Sequence, residues 1–195
     1  MDNLNFNIFD FIVIVIIGFL CLFYFKENFS EHVEERIASN GKSYLVKVSE
    51  KSQEVADKLG RMDDKFLQII NILKNEYPND PRTIFLDNNY DDVEITESTR
   101  GEGYTSYSVN KQKILFCLTA NHSDGTLIDD NTLSYVGIHE LAHLATEEIG
   151  HTETYWENFR WILSLARDNN LYTFEDYESF PKEYCGITIS SNILN

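Results

Sequence analysis

Cysteine is scarce in this chain, with only Cys21, Cys117 and Cys185 among 195 residues. Three thiols do not make the disulfide framework of a small secreted domain, although a single Cys117–Cys185 bridge stays open. No local pattern turns either residue into a nucleophile with His122, so both read as structural. Basic residues are also few. Sixteen Lys and Arg face 32 Asp and Glu, for a formal net charge of −16. Such a surface repels phosphate backbones, and no cluster of cations interleaves with aromatics, so nucleic acid is a poor partner. Glycine-rich phosphate loops, internal repeats and low-complexity tracts are missing. Aromatic residues, by contrast, are plentiful, with thirteen Phe and eleven Tyr, which argues for an ordered core.

No Lys or Arg precedes Lys26, and no small-x-small pair follows the first apolar run, so a cleaved signal peptide does not fit. The run from Phe11 to Phe25 carries no charge. The wider stretch from Leu4 is interrupted only by Asn5, Asn7 and Asp10. A helix of that wider length spans about 30 Å of hydrocarbon. Residues 1–26 are therefore expected to be an uncleaved single-pass transmembrane anchor, with residues 27–50 as a linker or stalk holding a short polar helix at Glu31–Ser39. The cations nearest the run, Lys26, Arg36, Lys42 and Lys47, all follow it. The positive-inside tendency then puts a soluble domain, residues 51–195, on the cytoplasmic side of a viral or host membrane.

The strongest chemical signal is His139-Glu140-Leu141-Ala142-His143, an H-E-x-x-H sequence. On a helix, residues four apart share a face, so both imidazoles can reach one metal ion, with Glu140 beside them to take a proton from a metal-bound water. Asn131 or Thr132 can cap such a helix, and Gly150 can end it. Gly137, Ile138, Leu141, Leu144 and Ala145 gather on the opposite side as a core-facing stripe. Catalytic zinc usually takes three protein ligands and leaves a fourth position open. His151, just beyond Gly150, is the first candidate for the third, with Glu147 and Glu153 as carboxylate competitors. Thr152 then caps a second helix. The chemistry implied is hydrolysis of a peptide bond in a protein or peptide substrate with Zn²⁺ as cofactor and Glu140 as general base. Tyr155, the nearest aromatic hydroxyl in sequence, and Tyr184 could steady an oxyanion, but in so Tyr-rich a chain both read as packing. His32 and His122 read as surface residues.

The motif His139 to His143, followed by Gly150-His151 and Tyr155-Trp156, resembles the WLM and SprT-like group of zincin metallopeptidases over about Ser106 to Trp161. The resemblance implies a zincin-like fold, zinc ligation by His139, His143 and His151, and Glu140 as general base. The seven residues between His143 and His151 make a longer gap than that group's pattern. The stretch Thr105 to Lys111 and Tyr184-Cys185-Gly186 also resemble short membrane-anchored relatives encoded by large DNA viruses. Two other functions compete with a membrane-tethered peptidase. One is a non-catalytic membrane or virion component that keeps the fold for structure or interaction. The other, suggested by the family resemblance, is a DNA–protein-crosslink protease.

The remaining pattern is α+β. Ser52 to Tyr77 reads as a helix with an apolar stripe of Val55, Leu59, Met62, Phe66, Ile69 and Leu73, stopped by Pro78 and Pro81. Short strands are expected at Thr83–Leu86, Val93–Glu97, Thr105–Val109 and Ile114–Leu118, the last two joined by a turn at Asn110 to Lys113. Ile114–Leu118 could also offer an exposed edge to a peptide substrate. The motif helix is expected over Thr132–Ile149 and a second one over Glu153–Asp168, burying Trp156, Phe159, Leu163 and Ala166. The tail from Leu171 reads as irregular.

Overall fold

The computed structural model describes residues 11–20, 33–99, 107–109, 111–119 and 125–194. The chain divides into two units, residues 1–32 and residues 33–195. In the first, residues 11–20 form a helix (α1) whose side chains are all exposed. Ten residues rise about 15 Å, half of the ~30 Å hydrocarbon core of a bilayer. Among the described residues, no helix is long and apolar enough to cross a membrane. The expected transmembrane helix at residues 1–26, the membrane as its partner and the single-pass membrane location with a cytoplasmic domain are corrected accordingly. Residues 1–10 and 21–26 of that expected segment lie outside the described residues.

The second unit is α+β. Strands β1 (Val33–Ile37), β2 (Ser43–Lys47), β3 (Glu94–Glu97), β4 (Tyr107–Val109) and β5 (Lys113–Phe116) form one mixed sheet in the order β1-β2-β3-β5-β4. The β1–β2 and β4–β5 pairs are antiparallel, and β3 runs parallel to both β2 and β5. The first hairpin occupies the region expected to be a stalk. Its turn runs from Ala38 to Lys42, closed by the Ala38 amide on the Lys42 carbonyl at 2.9 Å, with Gly41 at φ 83° in left-handed backbone that glycine adopts without strain. Strand β5 lies between β3 and β4 rather than at an exposed edge, so β4 takes the outer position.

Helix α2 (Ser52–Glu76) lies on this sheet. Its stripe of Val55, Leu59, Met62, Phe66, Ile69 and Leu73 is buried, as the spacing predicts. At 25 residues it is long enough to span a bilayer, but its other face carries charge throughout. Asp63, also on α2 and only 5% exposed, accepts hydrogen bonds from Tyr44 and Tyr90 at 2.6 Å each and pairs with Lys42 at 2.8 Å. One carboxylate thus ties β2, α2 and the next helix together.

That next helix, α3 (Pro81–Tyr90), replaces the strand expected at Thr83–Leu86. Its start is conventional: Asp80 accepts from the Arg82 amide at 2.9 Å, and Pro81 fills the first helical position, where its missing N–H costs nothing. The β-branched Thr83 and Ile84 disguise this start. Helices α4 (Asp130–Leu144) and α5 (Glu153–Asp168) pack on each other and complete the helical layer. The expected irregular tail contains a second hairpin, β6 (Lys182–Tyr184) and β7 (Ile187–Ile189), turned by Cys185 at φ 47° and Gly186 at φ 83°. A disulfide joins Cys185 to Cys117 at the end of β5.

Candidate metal centre

Helix α4 begins two residues earlier than the sequence suggests. Asp129 caps it, accepting from the amides of Asn131 at 3.1 Å and Thr132 at 2.9 Å. The helix then drives into the core. Leu133, Ile138, Leu141, Ala142 and Leu144 are all buried. Gly137 lets α4 approach α2 closely, since a Cβ there would stand 2.9 Å from Met62 Sδ and Phe66 Cζ. This packing fixes the rotation of α4 about its axis, and with it the direction of His139 and His143. Glu140, between them in sequence, is 3% exposed.

The helix ends at Leu144, five residues before the expected stop at Ile149. Its last carbonyls are taken up partly by the chain just beyond, with the Ala145 amide donating to the Leu141 carbonyl at 3.1 Å and the Thr146 hydroxyl to the Ala142 carbonyl at 2.7 Å, and side chains from neighbouring elements hold the end of the helix and the residues after it. Asn89 donates to the Leu144 carbonyl at 2.8 Å, Asn158 to the Ala145 carbonyl at 3.2 Å, and Lys111 to the Thr146 and Glu147 carbonyls. The chain then crosses in an irregular segment to Gly150, whose φ of 89° is left-handed backbone that glycine adopts without strain. That reversal brings His151 back over α4. Thr152 caps α5 as expected, accepting from the Tyr155 amide at 3.2 Å.

The three imidazoles converge. Their ring centres form a near-equilateral triangle, with sides of 5.2 Å for His139–His143, 5.0 Å for His139–His151 and 4.9 Å for His143–His151. His139 Nε2 and His151 Nε2 are 3.1 Å apart, and one nitrogen from each of the three rings lies within 4.8 Å of the others. Two nitrogens bound to one tetrahedral zinc at 2.0–2.1 Å would stand about 3.3 Å apart. The donor set therefore fits a metal ion of that kind. Among the described residues, Glu147 and Glu153 are exposed and lie outside this cluster. His32 and His122 lie outside the described residues.

Helix α5 supplies an aromatic backing to each imidazole. Tyr155 stacks on His143 with ring centres 4.2 Å apart and 27° between planes, Trp156 stacks on His151 at 5.4 Å and 24°, and Phe159 meets His139 edge-on at 5.4 Å. Tyr155 also donates its hydroxyl to the His139 carbonyl at 3.3 Å. Tyr155 is fully buried against these rings. Trp156, expected in the core, is instead 39% exposed because it covers His151 at the surface. Tyr184 is buried and donates to the Cys117 carbonyl at 3.0 Å.

Burial pushes the His139 imidazole down to about 3, with the neighbouring His143 and His151 rings acting in the same direction. Burial likewise lowers His143 to about 4, followed by the effects of His151 and the Lys111 ammonium. Both rings are therefore neutral near pH 7, the form that binds a metal ion. The polar side chains that hold the end of α4 and the start of the segment beyond it, Asn89, Lys111 and Asn158, were not legible as site residues. Asn158 carries one faint signal, an amide on the apolar face of α5 that also bears Tyr155 and Ile162.

The chain is similar over nearly its whole length to a viral protein. Uncharacterized protein R325 of Acanthamoeba polyphaga mimivirus is 30% identical over 190 residues, covering 93% of this chain and 95% of that protein. Uncharacterized protein 136R of Invertebrate iridescent virus 6 is 35% identical over 85 residues, 43% of this chain and 47% of that protein. Uncharacterized protein 042R of Invertebrate iridescent virus 3 is 34% identical over 86 residues, 44% of this chain and 52% of that protein. No family model matches the sequence. No solved structure matches it either.

Proposed function

The chain belongs to the family of the mimivirus protein R325, and we propose that it is a zinc-dependent metallopeptidase. The observation that carries this proposal is the meeting of His151 with the helical pair, 3.1 Å from His139 between Nε2 atoms. Two imidazoles one turn apart follow from any H-E-x-x-H helix. The third must be delivered by chain that has left the helix, and Gly150 and the α5 aromatics deliver it. His139, His143 and His151 would hold the ion and leave its fourth position to water. Bound there, zinc lowers the pKa of water toward about 7 and polarises a scissile carbonyl.

The chain's own residues supply the rest. Glu140 accepts the proton of the attacking water and hands it to the leaving amine. Its burial on α4 shields that transfer from bulk solvent. Tyr155, Trp156 and Phe159 keep the three rings in one orientation, so no ligand has to be ordered when the ion arrives. A purely structural site has no use for a carboxylate in the Glu140 position, which favours catalysis over a scaffold role. The resemblance of His139 to His143, with His151, to the WLM and SprT-like group supports the same assignment. The net charge of −16 favours a protein or peptide substrate over a nucleic-acid complex, against the crosslink-protease reading.

A casein-type cleavage assay on the zinc-loaded chain tests the proposal. Glu140→Gln is expected to keep zinc and to lose at least about 100-fold in turnover, the usual contribution of a general base. Turnover equal to that of the unsubstituted chain removes the mechanism.

A further inference from the structure

Lys111 sits in the turn between β4 and β5 with φ 59°, a left-handed backbone that glycine would adopt more easily. The side chain reaches out of its own hairpin. Its Nζ donates to the carbonyls of Thr146 and Glu147, the latter at 3.1 Å, and rests 4.4 Å from the centre of the Phe85 ring. Thr146 and Glu147 are the first residues past the cap of α4, where the chain sets out toward His151.

Thr146 is also held to α4 by its own hydroxyl, which donates to the Ala142 carbonyl at 2.7 Å, but beyond Thr146 the segment to His151 has few other tethers. Asn158 holds Ala145 and the Thr146 hydroxyl, and Thr154 donates to the Glu148 carboxylate at 3.2 Å. Ile149 is 95% exposed, and a Cβ on Gly150 would find nothing within 4 Å. The direction in which the segment leaves α4 is therefore set at Thr146 and Glu147. We infer that Lys111 is a positioning residue for the third ligand: its ammonium clamps the start of this segment to the β4–β5 hairpin and so sets where His151 meets His139 and His143.

The inference rests on the metal-centre reading, and the physics gives it a sign. A cation near the imidazoles acts on a bound dication in two opposite ways. Its charge repels the ion. Its hydrogen bonds hold the ligand-bearing segment. If charge alone mattered, removing the ammonium would tighten zinc binding. If the clamp matters more, removing it weakens binding.

The test is zinc affinity of the full chain by competition with a chromophoric chelator. Lys111→Met keeps the apolar stem against Phe85, and Lys111→Gly relaxes the turn, so neither outcome hinges on misfolding. Both are expected to lose about 10–100-fold in zinc affinity, while Lys111→Arg keeps most of it. In a His151→Ala background, Lys111→Met is expected to cause little further loss, since both act through one ligand. Unchanged or tighter zinc binding in Lys111→Met, or a fully additive loss beside His151→Ala, overturns the inference. Absence of zinc binding in the unsubstituted chain overturns the metal-centre reading as well. Zinc binding that ignores Lys111 overturns this inference alone.

Discussion

Removing the Cys117–Cys185 disulfide perturbs the candidate centre without touching it. The bridge spans a sequence separation of 68 residues, and the closed segment carries α4, α5 and all three imidazoles. In the chain-entropy account, cross-linking a loop of that length lowers the entropy of the unfolded chain by an amount worth about 4 kcal/mol at 25 °C. Both cysteines are buried, at 4% and 6% exposure, so serine would add buried hydroxyls and confuse the result. The variant of choice is Cys117→Ala with Cys185→Ala, set beside the unsubstituted chain kept reduced by a dithiol throughout. Urea unfolding followed by circular dichroism should show a loss of about 4 kcal/mol in both. For a domain of this size that corresponds to a thermal midpoint lower by roughly 8–16 °C. A loss below about 1 kcal/mol in both samples would refute the reasoning. A loss in the variant but not on reduction would assign the effect to the missing sulfur atoms rather than to the cross-link.

The buried carboxylate of Asp63 gives a second expectation: Asp63→Ala leaves the Tyr44 and Tyr90 hydroxyls without their acceptor and should cost about 3 kcal/mol by urea unfolding, whereas a change within 0.5 kcal/mol, about the scale of a neutral surface substitution, would contradict the role given to it. A third concerns pH in the metal-free protein. His139 and His143 titrate near 3 and 4 when folded and near 6.5 when unfolded, so the unfolded chain binds more protons between those values. Their contribution to stability is present above about pH 6.5 and falls as the pH drops toward 4, by roughly 2 kcal/mol at pH 5 for the more buried His139 ring and by less for the half-buried His143, whose charge solvent screens. Urea midpoints from pH 7.5 to 5 should therefore decline, and the decline should flatten when both residues are replaced by Gln; a profile equally steep in that variant assigns it to other groups.

The parts of this fold that rest on regular periodicity were legible in the sequence. The α2 stripe buries as its spacing requires, and α5 runs over the expected residues because Thr152 caps it and its apolar face repeats cleanly. His151 stood out as a candidate for a different reason, since Gly150 just before it signals left-handed backbone, although α4 itself ends earlier, at Leu144. The β1–β2 hairpin was hidden by charge: Glu34, Glu35 and Arg36 blur the alternation of β1, and only the Asn40-Gly41 turn signals it. Helix α3 was hidden by β-branched residues that outweigh its Asp80-Pro81 start until tertiary packing is added. The disulfide depends on the tail folding back beside β5, which no local pattern announces. The apolar run at Phe11 to Phe25 shows the limit of composition, because run length alone suggested a span that the ten described helical residues do not reach. Lys111 was illegible for a further reason. Its partners are backbone carbonyls 35 and 36 residues away, and carbonyls carry no sequence signature.

Zinc content and the identity of its ligands test the central claim most directly. The purified chain, dialysed against zinc and then against metal-free buffer, should hold one zinc per chain by elemental analysis. X-ray absorption at the zinc edge should report three imidazole nitrogens at about 2.0–2.1 Å. His151→Ala should bind zinc at least about tenfold more weakly, while Glu140→Gln binds it as the unsubstituted chain does. A chain that retains no zinc, or one in which His151→Ala leaves both affinity and nitrogen count unchanged, would contradict the account.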